Sequence, residues 1–175
     1  MSDKFLYVRT ECNVDTNVVS YLMHGVVNHQ QCCSQVVQNL KEHSDEFAVG
    51  IIDNDKKLPV DLSNFNKIAS SDHLCVWKHH ELNHYMITVD PAMDGFIWDC
   101  AKAQKVKPKD FNLPSQFKAF KKRMKKKTSN NDPDIRSFVK AISDNKELDA
   151  LRKLLSYLKD NKYKAEYEVI TNILC

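Results

Sequence analysis

A chain of 175 residues that is 42% hydrophobic and 28% charged carries enough apolar side chain for one proper core, which excludes disorder as its default state. A formal net charge of only +3 excludes a polycation, so any affinity for nucleic acid must come from local clustering of charge. The longest apolar runs fall short of the ~20 residues of a membrane span, and "MSDKFLYVRTE" lacks the apolar stretch of a signal peptide. The expectation is a cytoplasmic protein with no membrane partner and an unspecified protein partner.

In chain order, "KFLYVRT" at 4–10 reads as a strand by its Phe, Tyr and Val content, ending at Glu11. In "DTNVVSYLMHG", Val18, Val19, Leu22 and Met23 recur at helical spacing, with Asp15 or Thr16 as the cap and Gly25 as the stop. "VVNHQQ" is a short, weak strand candidate. Ser34 is the expected cap of a second helix carrying Val36, Val37 and Leu40 and closed by "KEHSDE". "FAVGII" at 47–52 does not alternate apolar with polar residues, the pattern of a strand buried on both faces. Strand, helix, strand, helix, strand is the order of a parallel sheet with crossover helices.

"LCVWKHH" and "HYMITVD" read as two further strands joined at "ELN", and "PAMDGFIWDCAKA" as a helix with Pro91 in its first turn. From about residue 104 the chain turns lysine-rich and helical: "SQFKAFKKRMKKK", "DPDIRSFVKAI" and "ELDALRKLLSYLKDN". "TSNND" at 128–132 is the expected linker. The predicted organisation is an α/β domain over 1–103, and a lysine-rich helical extension over 104–175 that packs on the same core or forms a small subdomain.

In an open parallel sheet, ligands bind beyond the carboxyl ends of the strands. Glu11 follows the first strand, and Asp53 and Asp55 follow the third, so parallel pairing brings three carboxylates to one edge. There they repel unless a cation offsets them or some pKa values rise. Oxygen donors select a hard cation, Mg²⁺, Mn²⁺ or Ca²⁺. The competing reading of an Asp-x-Asp after a strand is a solvated turn, because Asp favours turns.

These residues resemble the Toprim domain of topoisomerases, bacterial-type primases and OLD-family nucleases. That family has Glu-Gly-x-x-Asp after its first strand and Asp-x-Asp after its third. The matches are Glu11 and Asp15 in "ECNVD", and Asp53 and Asp55 in "DND"; Cys12 stands where the family has glycine. The resemblance covers roughly residues 4 to 100. It implies a mainly parallel Toprim-like sheet flanked by helices, with Glu11 as general acid or base and Asp53 and Asp55 holding Mg²⁺ or Mn²⁺. "DPAMDGF" is similar to an acidic segment after the last sheet strand of some small Toprim-like proteins, which adds Asp94 as an extra ligand.

Two other groups carry chemistry. His79, His80 and His84 invite a zinc reading, but adjacent residues of a strand point to opposite faces and no familiar spacing supplies a fourth ligand. The six cysteines form no CxxC pair and are expected to be reduced and mostly structural. The second group is the lysine run. Lys118, Lys121, Lys122, Arg123, Lys125, Lys126 and Lys127 surround Phe117, Phe120 and Met124, so a helix would bury the apolar side and present cations to DNA or RNA phosphates, or serve solubility alone. The functional expectation is metal-dependent phosphodiester chemistry on nucleic acid, a nuclease or nicking activity. The alternative is a non-catalytic module, binding nucleic acid or protein, that keeps a degraded Toprim-like site.

Overall fold

The computed structural model describes residues 3–54, 60–126 and 132–175, with Val60 and Asp61 described in their backbone alone. Asp55, Lys127 and most of the expected linker at 128–132 lie outside the described residues. Six strands form one sheet: β1 (Asp3–Thr10), β2 (Gly25–His29), β3 (Ala48–Asp53), β4 (Phe65–Ser70), β5 (Leu74–His79) and β6 (His84–Val89). Its order is β2-β1-β3-β6-β5-β4. The first four of these neighbours run parallel, while β5 and β4 fold back antiparallel, so the sheet is mixed with a parallel half.

β3 explains the architecture. All of its residues from Ala48 to Ile52 are buried, and the two-residue period sends them to opposite faces. Ala48 and Ile52 join Val36, Val37 and Leu40 of α2 (Cys33–Glu42) on one side. Val49 and Ile51 join the larger core on the other. A Cβ on Gly50 would stand 2.7 Å from Met86 Sδ and 2.9 Å from Val36 Cγ1, so α2 lies on the sheet at a distance only glycine allows there.

The larger core holds α1 (Asn13–Met23) and α3 (Met93–Ala103) together with the C-terminal helices α4 (Phe117–Met124), α5 (Pro133–Ala141), α6 (Lys146–Asn161) and α7 (Tyr167–Leu174). Phe120 is fully buried, with its ring centroid 5.1 Å from Trp98 of α3 and 5.6 Å from Phe138 of α5. Leu151, Leu154, Leu155 and Leu158 of α6 are buried in the same cluster. The segment after residue 104 thus shares one core with the sheet.

Several boundaries differ from the sequence reading. α1 begins at Asn13 behind an N-cap at Cys12, and stops at His24 in the left-handed conformation, so that Gly25 opens β2. Cys32 caps α2 in place of Ser34. Ala92 caps α3, leaving Pro91 just outside the helix. β4 and α7 had no counterpart in the sequence reading.

Because the sheet and the C-terminal helices share a core, chemical denaturation should give one cooperative transition by both far-ultraviolet and tryptophan signals. Phe120→Ala should cost about 3–5 kcal/mol and move both signals together. Two separated transitions would show that residues 104–175 fold as a unit of their own.

Candidate metal centre

Parallel pairing of β1 with β3 sets Thr10 opposite Ile51, so both strands end at the same edge. The Glu11 N–H continues the ladder by donating to Ile51 O at 3.1 Å. The Glu11 carboxylate then turns back across this edge, where its Oε2 accepts the Asp53 N–H at 3.1 Å. The expectation that Glu11 and Asp53 share an edge is met. Next to them, β3 pairs in parallel with β6 up to Asp53 and Val89, and α3 starts four residues further on. Asp53 Oδ1 accepts the first helical N–H of α3, that of Met93, at 3.0 Å. This carboxylate therefore caps a helix from another element, where the helix dipole favours an anion.

Asp15 enters from α1. Its Oδ2 accepts the Cys12 N–H at 2.9 Å, the return half of a capping box, which folds the side chain back over the helix start. Thr16 helps fix the same turn: its hydroxyl lies 2.7 Å from Thr10 Oγ1 and 2.9 Å from His29 Nδ1, tying the ends of β1 and β2 to α1. Asp15 is fully buried, and its second oxygen, Oδ1, has no hydrogen-bond partner among the described residues. A buried carboxylate oxygen without a partner is costly.

Ligand atoms of Cys12, Asp15 and Asp53 all lie within 4.8 Å of one another, a spacing one ion can span. Burial raises the Asp15 pKa well above the ordinary carboxylate range. The Asp53 charge adds to this, Glu11 adds less, and the hydrogen bonds from Cys12 oppose it. Burial likewise pushes the Cys12 thiol upward, with Asp15 and then Asp53 contributing. Burial and the neighbouring Asp53 charge thus disfavour ionisation of Asp15, a cost that a divalent cation held by the same group would relieve.

Asp94 belongs to the same edge in a different role. It lies in the first turn of α3, beside the Met93 that Asp53 caps, and is 2% exposed. Lys121 Nζ stands 3.5 Å from one of its oxygens and Lys125 Nζ 3.6 Å from the other. Two cations of the lysine run are therefore turned inward onto a buried acid. Arg123 is also engaged, in an ion pair with Asp132, the N-cap of α5. Lys118 and Lys122 are exposed. Nothing in local spacing signals these pairings, because Asp94 precedes its lysines by nearly thirty residues.

The rings of His80 and His84 stand 6.4 and 6.1 Å from that of His79, but the three form no metal-ligating group among the described residues. His79 Nδ1 accepts the N–H groups of Glu81 and Leu82 at 3.1 Å each, and buried His84 bonds the carbonyl of His43. Among the described residues the Cys12, Asp15 and Asp53 group is the one cluster of metal-ligating side chains. Cys12 is the member that sequence reasoning left out of the ligand set. Its position between Glu11 and Asp15 was the available signal.

Asp15→Asn tests this electrostatics. An amide oxygen can still accept the Cys12 N–H. Since the folded-state pKa of Asp15 is raised, the native state binds the proton more tightly than the unfolded chain does. The Asp15 contribution to stability is then lost as pH rises from the ordinary carboxylate pKa toward the raised one. Without metal at pH 7 the variant should gain about 1 kcal/mol, or roughly 2–4 °C in Tm. It should also lose that part of the pH dependence. A metal-free Tm that falls in Asp15→Asn would contradict the raised pKa.

No family model, no curated protein and no solved structure matches the chain, so nothing beyond its own residues identifies its chemistry.

Proposed function

We propose that the protein is a metal-dependent enzyme acting on phosphodiester bonds of nucleic acid, by hydrolysis or nicking, on a Toprim-like α/β scaffold. The observation that carries the reading is the buried Asp15 carboxylate, with one oxygen unpartnered, in a group with Asp53 and Cys12 at the carboxyl edge of the parallel strands. Asp15 and Asp53 hold the ion, and Asp55 belongs to the same acidic set by its place in the sequence. A bound Mg²⁺ or Mn²⁺ supplies Lewis-acid polarisation of a phosphate and offsets the charge that develops on its oxygens.

The protein groups divide the remaining work. Glu11 is held at the edge by the Asp53 N–H and moves a proton to or from the attacking or leaving oxygen. The amino-terminal ends of α1 and α3 both open onto this edge, and their dipoles favour the anionic phosphate. Asp94 fixes Lys121 and Lys125 on the flank of the edge, where their charge attracts the phosphate backbone. Cys12 adds a sulfur donor to an otherwise oxygen site, which shifts preference from Mg²⁺ toward Mn²⁺.

The second reading is a binding module with a degraded site, favoured by Cys12 where the Toprim family has glycine, since a side chain there narrows the approach of substrate. A single set of measurements separates the two. For an enzyme, millimolar Mn²⁺ raises the Tm and supports cleavage of DNA or RNA more strongly than Mg²⁺ does. Asp53→Asn abolishes both effects, and Glu11→Gln slows cleavage by about a hundredfold or more while keeping the metal-induced shift. Cys12→Gly removes the sulfur donor and should move the preference back toward Mg²⁺. A Tm indifferent to both ions, with no cleavage of single- or double-stranded DNA or RNA, would leave the binding module standing.

A further inference from the structure

At the far end of α3 from the acidic edge lies a surface cavity of about 460 Å³, within the usual size of a small-ligand site. Its apolar wall is Trp98, Val106 and Pro108, and its rim carries Lys102, Lys105, Lys107 and Lys109. No carboxylate lines it among the described residues. Trp98 is half-buried against α4, with its ring centroid 5.3 Å from Phe117, itself one of the few large apolar side chains exposed on the surface, at 39%. Lys102 reaches over the Trp98 ring at 6.0 Å while Asp99 holds its ammonium at 3.5 Å. Aromatic surface and four cations thus meet in one concavity on a chain whose net charge is only +3.

The rim is built by a helix stop with an unusual residue choice. Val106 N–H donates to Ala101 O at 2.9 Å and Lys105 N–H to Lys102 O at 3.0 Å, the paired bonds of a Schellman motif. Its left-handed position, usually glycine, is Lys105 at φ 59°. Pro108 then opens a short 3-10 turn over Pro108–Phe111 that closes through Leu113 N–H to Pro108 O at 3.1 Å. The cations therefore project from a fixed loop, at the cost of a backbone conformation that glycine would adopt more easily.

We infer that this cavity binds a base of single-stranded nucleic acid, stacked on the Trp98 indole, with the adjoining phosphates on Lys105, Lys107 and Lys109. Charge complementarity and aromatic surface together choose this occupant: an apolar peptide would not need the four cations, and a bare phosphate would not need the indole. From Asp94 to Lys102 the α3 axis advances about 12 Å at 1.5 Å per residue, so a strand anchored at the cavity reaches the acidic edge along one helix. The inference takes its polymer from the proposed phosphodiester activity. Its binding test is run without metal, so that loss of either one is seen separately.

The experiment is a titration in EDTA of the full chain with a 12-mer oligothymidylate, followed by tryptophan fluorescence and anisotropy. Its companions are an abasic strand of equal charge, a duplex of equal length, and thymidine monophosphate. The oligomer should quench Trp98 and bind at least tenfold tighter than the abasic strand, the duplex or the mononucleotide. Trp98→Ala should weaken oligomer binding by about five- to a hundredfold and leave abasic affinity unchanged. Replacing Lys105, Lys107 and Lys109 with Ala should weaken both strands and reduce the salt slope by about 2, since each phosphate contact contributes about 0.7. Because Trp98 also packs on α4, Lys105→Gly is the control for folding. It should raise Tm by about 2–4 °C, through relief of the left-handed lysine, while weakening the oligomer. Equal affinity for abasic and base-bearing strands, mononucleotide binding as tight as the oligomer, or wild-type affinity in both Trp98→Ala and Lys105→Gly would each overturn the inference. Loss of cleavage with binding intact would instead fault the metal site.

Discussion

The buried carboxylate of Asp15 is the constraint around which this edge of the molecule is arranged. It sits in the first turn of α1 with no exposure, one oxygen spent on the Cys12 N–H and the other unpartnered among the described residues. Folding cannot desolvate such a group without cost, and a chain selected for stability alone would place an apolar residue there. The neighbours make the cost larger, because Asp53 is brought within the same 4.8 Å group by parallel pairing with β1 and capping of α3. Stability is lowered at this edge, and the packing of the rest of the fold supports the cost.

Asp94 shows what a structural solution to the same problem looks like. It is almost as deeply buried, yet Lys121 and Lys125 stand on either side of its carboxylate. Two lysines of the chain itself face that carboxylate, whereas no ion pair reaches Asp15 among the described residues. The pairing also orients α4: Phe120 and Met124 face the core, Lys121 and Lys125 face α3, and Lys118 and Lys122 face solvent. Removing Lys121 or Lys125 would strand a buried acid, so these two lysines are poor probes of nucleic-acid binding even where their charge helps to attract a backbone.

The centre of the parallel half was legible because β3 is an apolar run whose period leaves little choice, as in "FAVGII", and the acids at its edge followed from that topology, while the short β2 at its margin gave only a weak signal. β4 was not legible because "FNKIAS" is an edge strand with only Phe65 and Ala69 buried, too polar to stand out. The helix starts at Cys12 and Cys32 were misplaced because cysteine is not among the residues that favour N-caps, and Asp15 and Ser34 inside the helices drew the boundary inward. The inward turn of Lys121 and Lys125 depends on a partner nearly thirty residues away, which no local pattern encodes. The lysines at 105, 107 and 109 carried no signal of their own within the lysine-rich stretch, because only the Schellman turn and the 3-10 turn bring them around one indole.

α3 unites these features physically. Its amino end is capped by Asp53 and carries Asp94, and its carboxyl end turns at Lys105 into the basic rim. Between them, Phe96, Ile97 and Cys100 are buried, so the helix is gripped by the core along its length. A rigid helix holds its two ends at a fixed separation. On the proposed reading, a strand bound at one end would be presented to the other without a further conformational step, because the packing of α3 already fixes the two ends.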